Sequence, residues 1–170
     1  MRLVFFLMAM LTMVACDRDD DDALAEEGSI KVFLDARTLI STGVSATLSG
    51  TTGEILQVTA TFTGADGTTQ LSIAAYSNNT NDVISAGEYE FGSKTAKTPY
   101  DGVCQYVLND GNAPFSTTSV SESYVGKVNI TDLDRAGLYV SGTFEATVGR
   151  NAEVKSLTKG SFTRIKLTIN

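Results

Sequence analysis

Apolar and polar residues alternate without a break along Leu56-Gln57-Val58-Thr59-Ala60-Thr61-Phe62-Thr63. Leu56, Val58, Ala60 and Phe62 occupy every second position, with Gln or Thr between them. A period of two places the apolar set on one face of an extended strand and the polar set on the other. One face is then core and the other wet, the usual condition of an antiparallel sheet. Gly64-Ala65-Asp66-Gly67 supplies a turn, and Leu71, Ile73 and Ala75 alternate with Gln70, Ser72 and Ala74 beyond it. The two runs predict a hairpin.

The same period extends outward along the chain. Val128 and Ile130 alternate with Lys127, Asn129 and Thr131, and the chain turns through Asp132 to Gly137. Leu138, Val140, Phe144, Ala146 and Val148 are expected to return inward, with Tyr139, Ser141, Thr143, Glu145 and Thr147 outward. Gly142 falls at an inward position, where a missing side chain marks a bulge or a large residue packing across it. After a turn at Gly149 to Ala152, Ile165, Leu167 and Ile169 share one face. Phe162 is out of phase with them, so a bulge is expected near Arg164, or else a Phe on the opposite face. Weaker strands are read at Ile30 to Asp35, Val44 to Leu48, Glu88 to Phe91 and Val103 to Leu108. Polar loops are read at Ser77 to Asp82 and Asn109 to Ser123, and Ala36 to Ile40 is expected to form at most one helical turn. No sustained 3.6-residue apolar period is present. The expected fold is all-β, an antiparallel β-sandwich or partly closed β-barrel of about 8–10 strands.

The 170 residues are 42% hydrophobic and contain no His, no Trp and two Cys. That suits one domain with a packed core. The lack of His excludes Ser-His-Asp and Cys-His catalysis, His-ligated zinc or haem, and a His pH switch. Met1-Arg2, the apolar run Leu3 to Met13, and Val14-Ala15-Cys16 form the three regions of a secretory signal. The apolar run is about half of the roughly 20 residues a membrane-spanning helix needs. Met13-Val14-Ala15-Cys16 resembles the lipobox of bacterial lipoproteins, and the resemblance implies cleavage before Cys16 and acylation of that residue. The alternative is an ordinary secreted protein with a chance Cys near its cleavage site.

Asp17-Arg18-Asp19-Asp20-Asp21-Asp22 follows at once, then Ala23-Leu24-Ala25-Glu26-Glu27. Of the chain's net charge of −7, this stretch of seven acids and one base carries most. Closely packed like charges repel, so the stretch is expected to be an extended, solvated spacer. It is also similar to the acidic run that follows the acylated Cys in surface lipoproteins of Bacteroidota-type bacteria. That likeness implies an export signal at Asp17, Asp19, Asp20, Asp21 and Asp22, and a place on the outer face of the outer membrane. A merely solvating linker on a periplasm-facing lipoprotein is the alternative. The organisation expected is thus 1–15 signal peptide, 16–28 lipidated Cys and acidic tether, and 29–170 one β domain. With Cys16 acylated, Cys104 has no partner for an internal disulfide and is expected to be a buried thiol.

Gly126-Lys127-Val128-Asn129-Ile130-Thr131, Asp134, Ser141-Gly142-Thr143-Phe144, Lys159-Gly160-Ser161-Phe162 and Gly87-Glu88-Tyr89 carry a further resemblance. Together they are similar to a family of small uncharacterised Bacteroidota lipoproteins defined only as a domain of unknown function. These are turn and strand motifs, so the likeness implies a fold and no catalytic role. The absence of Trp departs from relatives that place one near the first strand.

Candidate chemistry is sparse. Asp132 with Asp134, and Asn78, Asn79 and Asn81 with Asp82, offer oxygen ligands, but calcium takes six to eight oxygens and turns use the same residues to bond their own backbone. Glu88 and Glu90 share a strand face, as any acidic pair on a strand does, and glycoside hydrolysis requires a defined carboxylate separation. Tyr139, read outward, is a possible contact residue. No basic patch points to nucleic acid, no phosphate-binding glycine loop is present, and no cofactor or metal site is expected. The expected function is a non-catalytic, membrane-anchored binding protein with a protein or glycan ligand. A lipocalin-like carrier of a small apolar molecule is the alternative, with a glycan hydrolase ranked below both.

Overall fold

The computed structural model describes residues 23–50, 54–64, 67–77, 83–92, 102–118 and 124–170. The signal peptide, Cys16, Asp17, Asp19 to Asp22, and the Asn78 to Asp82 cluster lie outside the described residues. Eleven strands make up the rest: β1 (Ser29–Leu34), β2 (Arg37–Ser41), β3 (Gly43–Ser49), β4 (Ile55–Gly64), β5 (Gly67–Tyr76), β6 (Gly87–Phe91), β7 (Gly102–Val107), β8 (Phe115–Ser116), β9 (Gly126–Asp134), β10 (Tyr139–Arg150) and β11 (Glu153–Ile169). They form one sheet in the order β2-β1-β11-β3-β4-β5-β7-β6-β9-β10-β8, with further pairing of β11 to β10 and β7 to β8. The β10–β11 pairing turns the sheet back on itself, so the all-β fold has the connectivity of a partly closed barrel. Two seams are parallel and short. β11 meets β3 over three residue pairs, and β6 meets β7 only at Phe91–Gly102.

The alternation read from the sequence is the alternation of burial along β4, and along β5 except at Ala74, which is buried as well. Leu56, Val58, Ala60 and Phe62 on β4 and Leu71, Ile73 and Ala75 on β5 are all buried, in a ladder running from Ile55–Tyr76 to Gly64–Gly67. The core continues through Ile30, Val32, Ala46, Leu48, Val128, Ile130, Val140, Phe144 and Val148. Burying a Val, Leu, Ile or Phe contributes about 1.5–3 kcal/mol each, which is what holds these strands despite the entropy of ordering them.

β11 is long because bulges keep its apolar side inward. Between the pairs Val140–Ile165 and Gly142–Phe162, β11 has two intervening residues against one on β10, and the same occurs between Phe144–Gly160 and Ala146–Leu157. Arg164 and Lys159 sit in these bulges at φ 47° and 49°. Each inserted residue resets the phase, so that Leu157, Phe162, Ile165 and Leu167 are all buried. The first bulge is the one expected near Arg164. Gly142 is likewise explained: a Cβ there would lie 2.5 Å from Phe162 Cζ. The relation is reciprocal, because a Cβ on Gly160 would lie 2.5 Å from Phe144 Cζ. Two Gly–Phe cross-strand pairs thus sit side by side, with the Phe144 and Phe162 rings 6.4 Å apart.

Three expectations need correction. Ala36 to Ile40 is not a helical turn: Asp35 and Ala36, both at positive φ, make a two-residue hairpin turn and β2 pairs back along β1 from Leu34–Arg37 to Ile30–Ser41. Leu138 is not inward, because it lies in the β9–β10 turn at φ 57° and is exposed. The strand count exceeds the expected 8–10, since β2 and the two-residue β8, which lies within the polar stretch Asn109 to Ser123, add to it. β8 forms because Phe115 is fully buried and pairs with Tyr106, while Ser116 pairs with Gln105 and with Gly149 of β10.

Candidate functional site: a cleft at one end of the barrel

Where the β1–β2 turn, the β4–β5 hairpin and the chain after β7 converge, they enclose an open cleft of about 730 Å³. Its apolar lining comes from Leu34, Leu39, Phe62, Tyr106 and Leu108, and Ile40 stands 63% exposed at its edge. Leu34, Phe62 and Tyr106 lie near the ends of β1, β4 and β7, strands with buried core residues, so the cleft continues the core at this end. Tyr106 is 4% exposed, its ring tilted against Phe115 at a centroid distance of 6.4 Å.

A network of charges braces this end. Arg150 Nη1 meets Asp110 Oδ2 at 2.8 Å and donates to Ala113 O at 3.2 Å, and its guanidinium lies 4.2 Å above the Phe115 ring. Lys155 Nζ is 5.1 Å from the same ring and pairs with Asp35 and Glu153, each at 3.4 Å. Asp35 also accepts the Ser156 N–H at 3.1 Å, tying the β1–β2 turn to β11. The N–H of Asn112 and then Arg150 hold the Asp110 carboxyl below its ordinary range. Asp35, Asp110, Arg37 and Lys155 all line the cleft, two acids and two bases, so its formal charge cancels. Such a site suits a ligand with an apolar part and no net charge.

The residues singled out in the sequence fall elsewhere. Tyr139 is at the opposite end of β10, half-buried, with the Arg164 guanidinium 3.9 Å over its ring. Asp134 Oδ1 accepts the N–H groups of Ala136 at 2.9 Å and Gly137 at 2.7 Å, the turn-forming role of an Asx residue. Those bonds, Gly137's foremost and one from Tyr139, lower the Asp134 carboxyl below its usual value. Glu88, exposed on β6, pairs with Lys127 at 3.0 Å. Among the described residues no group of three or more His, Cys, Asp or Glu is placed to hold a metal ion. Cys104 is a free, fully buried thiol whose pKa burial pushes up to about 12, so it stays protonated.

A second groove, of about 470 Å³, lies between the segment before β1 and the β9–β10–β11 wall. Ala23 and Leu24 line it together with Lys127, Asn129, Thr143, Glu145 and Lys159. The described residues contain no helix long and apolar enough to cross a membrane. No family model, curated protein or solved structure matches this chain.

Proposed function

We propose that this chain is a membrane-anchored lipoprotein, acylated at Cys16 and carried to the cell surface by the acidic run Asp17 and Asp19 to Asp22, whose β domain binds a ligand without transforming it. The observation that carries the binding role is the end cleft, lined by Leu34, Leu39, Phe62, Tyr106 and Leu108 together with two acids and two bases. Of its charged lining residues, Asp35 pairs with Lys155 and Asp110 with the neighbouring Arg150, an arrangement that suits recognition of a ligand. The anchoring role rests on the signal and lipobox residues of the N-terminus.

The carrier alternative draws support from the closure of the sheet through β10 and β11. Ile30, Val58, Ile73, Ile130 and Ile165 fill the interior, so a carried molecule would sit in the mouth of the barrel. Binding of Nile red, an uncharged apolar dye, tests the cleft. Saturable fluorescence enhancement is expected with the wild type, with affinity at least tenfold weaker in Leu39→Asp, whose site is on a half-buried edge strand. No enhancement, or equal affinity in both proteins, would refute the cleft as the binding site.

A further inference from the structure

The segment before β1 reads as tether in the sequence, yet it is fixed to the barrel. The Ala25 N–H donates to Ser161 Oγ at 2.8 Å in a buried hydrogen bond, and the Gly28 N–H donates to Thr163 O at 2.7 Å. Glu27 bridges Thr163 in parallel fashion and its carboxylate meets Arg164 Nε at 2.9 Å. Lys31 Nζ reaches Ala23 O at 3.3 Å. Ser161, flanked by the core residue Phe162, is only 2% exposed, as is expected where Ala25 covers it.

We propose that Ala23–Gly28 is a strap belonging to the folded domain, which shortens the chain between Cys16 and the first fixed residue and turns the cleft end of the barrel toward the membrane. The proposal rests on acylation of Cys16. Seven Cα steps from Cys16 to Ala23 span at most about 23–25 Å, whereas thirteen steps to Ser29 would span about 43–47 Å. The strap therefore nearly halves the reach of the domain. It also sets direction. Residues 23 to 28 run parallel to β11, with Ala23 and Leu24 beside Lys159 and Gly160 and Glu27 beside Thr163. The chain from Cys16 thus joins at the end of the strap nearer Glu153 and Lys155, the end of β11 where Lys155 lines the cleft. Leu24, 68% exposed, stands at this junction. The partner surface is the bilayer, and the cleft samples molecules at its headgroup layer.

The test uses the full chain, recovered from cell membranes and reconstituted into phosphatidylethanolamine–phosphatidylglycerol vesicles carrying a rhodamine-labelled headgroup. Flotation with the vesicles reports anchoring before anything else is measured. Thr38→Cys at the cleft end and Thr168→Cys at the other end, both exposed, each give a single donor site, because the fully buried Cys104 does not react. Energy transfer to the headgroups is expected to be at least twofold higher from position 38, and Ala25→Pro, which removes the N–H donated to Ser161, should abolish the difference. Cleavage after Glu26 or Glu27 by a Glu-specific protease, read by mass, should be at least tenfold faster in Ala25→Pro. Equal cleavage rates overturn the strap, and equal transfer from both positions, or higher transfer from 168, overturns the orientation. Failure to float overturns the anchoring reading, and the cleavage rates still decide the strap in that case.

Discussion

Phe144 and its neighbour Thr143 show how one residue of register separates core from solvent. Phe144 is buried against Phe162 and fills the space left by Gly160, while Thr143 faces the outer wall. Phe144→Ala is expected to cost about 3–5 kcal/mol in denaturant unfolding, and Thr143→Ala under about 1 kcal/mol. Equal losses would mean that the register is shifted by one. Asp134 makes a different kind of contribution. Its folded-state pKa is lowered, so its stabilising effect is complete above the unfolded carboxylate value of about 3.9 and disappears as pH falls through the folded value. Asp134→Asn keeps an acceptor for the turn N–H groups without the titration. The urea midpoint of the wild type should therefore fall more steeply between about pH 5 and pH 2 than that of the variant, and parallel curves would contradict this.

At the level of strands, the β10–β11 ladder depends on paired vacancies and rings. Gly142→Ala would force a methyl group against Phe162 and against Asn129 O, 2.6 Å away, and overpacking of this kind costs about 1–3 kcal/mol. Shortening the ring with Phe162→Leu should offset part of that cost. The double variant is then less destabilised than the sum of the singles, and strict additivity would show that the ring and the glycine do not share the space. This ladder also marks how far the sequence could be read. Clean alternation revealed β4, β5, β9 and β10, and the phase slip at Phe162 revealed the Arg164 bulge. β2 was hidden because its turn uses Asp35 and Ala36 at positive φ, with no glycine to announce it. The Lys159 bulge left no mark, since Gly160 and Ser161 are not apolar enough to show a break in period. The cleft was illegible for another reason: its lining is drawn from separate segments between Leu34 and Lys155, and only the closed topology brings them together. Composition alone makes Ala23 to Gly28 a spacer, because the hydrogen-bond partner of Ala25 lies 136 residues away in sequence.

Along the chain as a whole, the β domain follows the acidic run Asp17 to Asp22, and the proposed function gives the two different tasks. If Asp19 to Asp22 are read by export machinery, replacing all four with Ser leaves the chain anchored but confines it inside the outer membrane. If they only keep the chain there solvated, the Ser variant reaches the same place as the wild type, since a Ser-rich segment is equally flexible. Protease added to intact cells is expected to digest the wild type and spare the four-Ser variant. Equal digestion would make the acids a spacer, and protection of both would place the domain in the periplasm. The proposed topology depends at every step on acylation of Cys16, each buried methylene contributing about 0.8 kcal/mol to membrane attachment. The decisive measurement is incorporation of a labelled fatty acid in cells producing either the wild type or Cys16→Ala. Label in the wild type alone, with the variant recovered unprocessed or soluble, is the result expected; equal label in both, or label in neither, would contradict the assignment of Cys16 as the anchor.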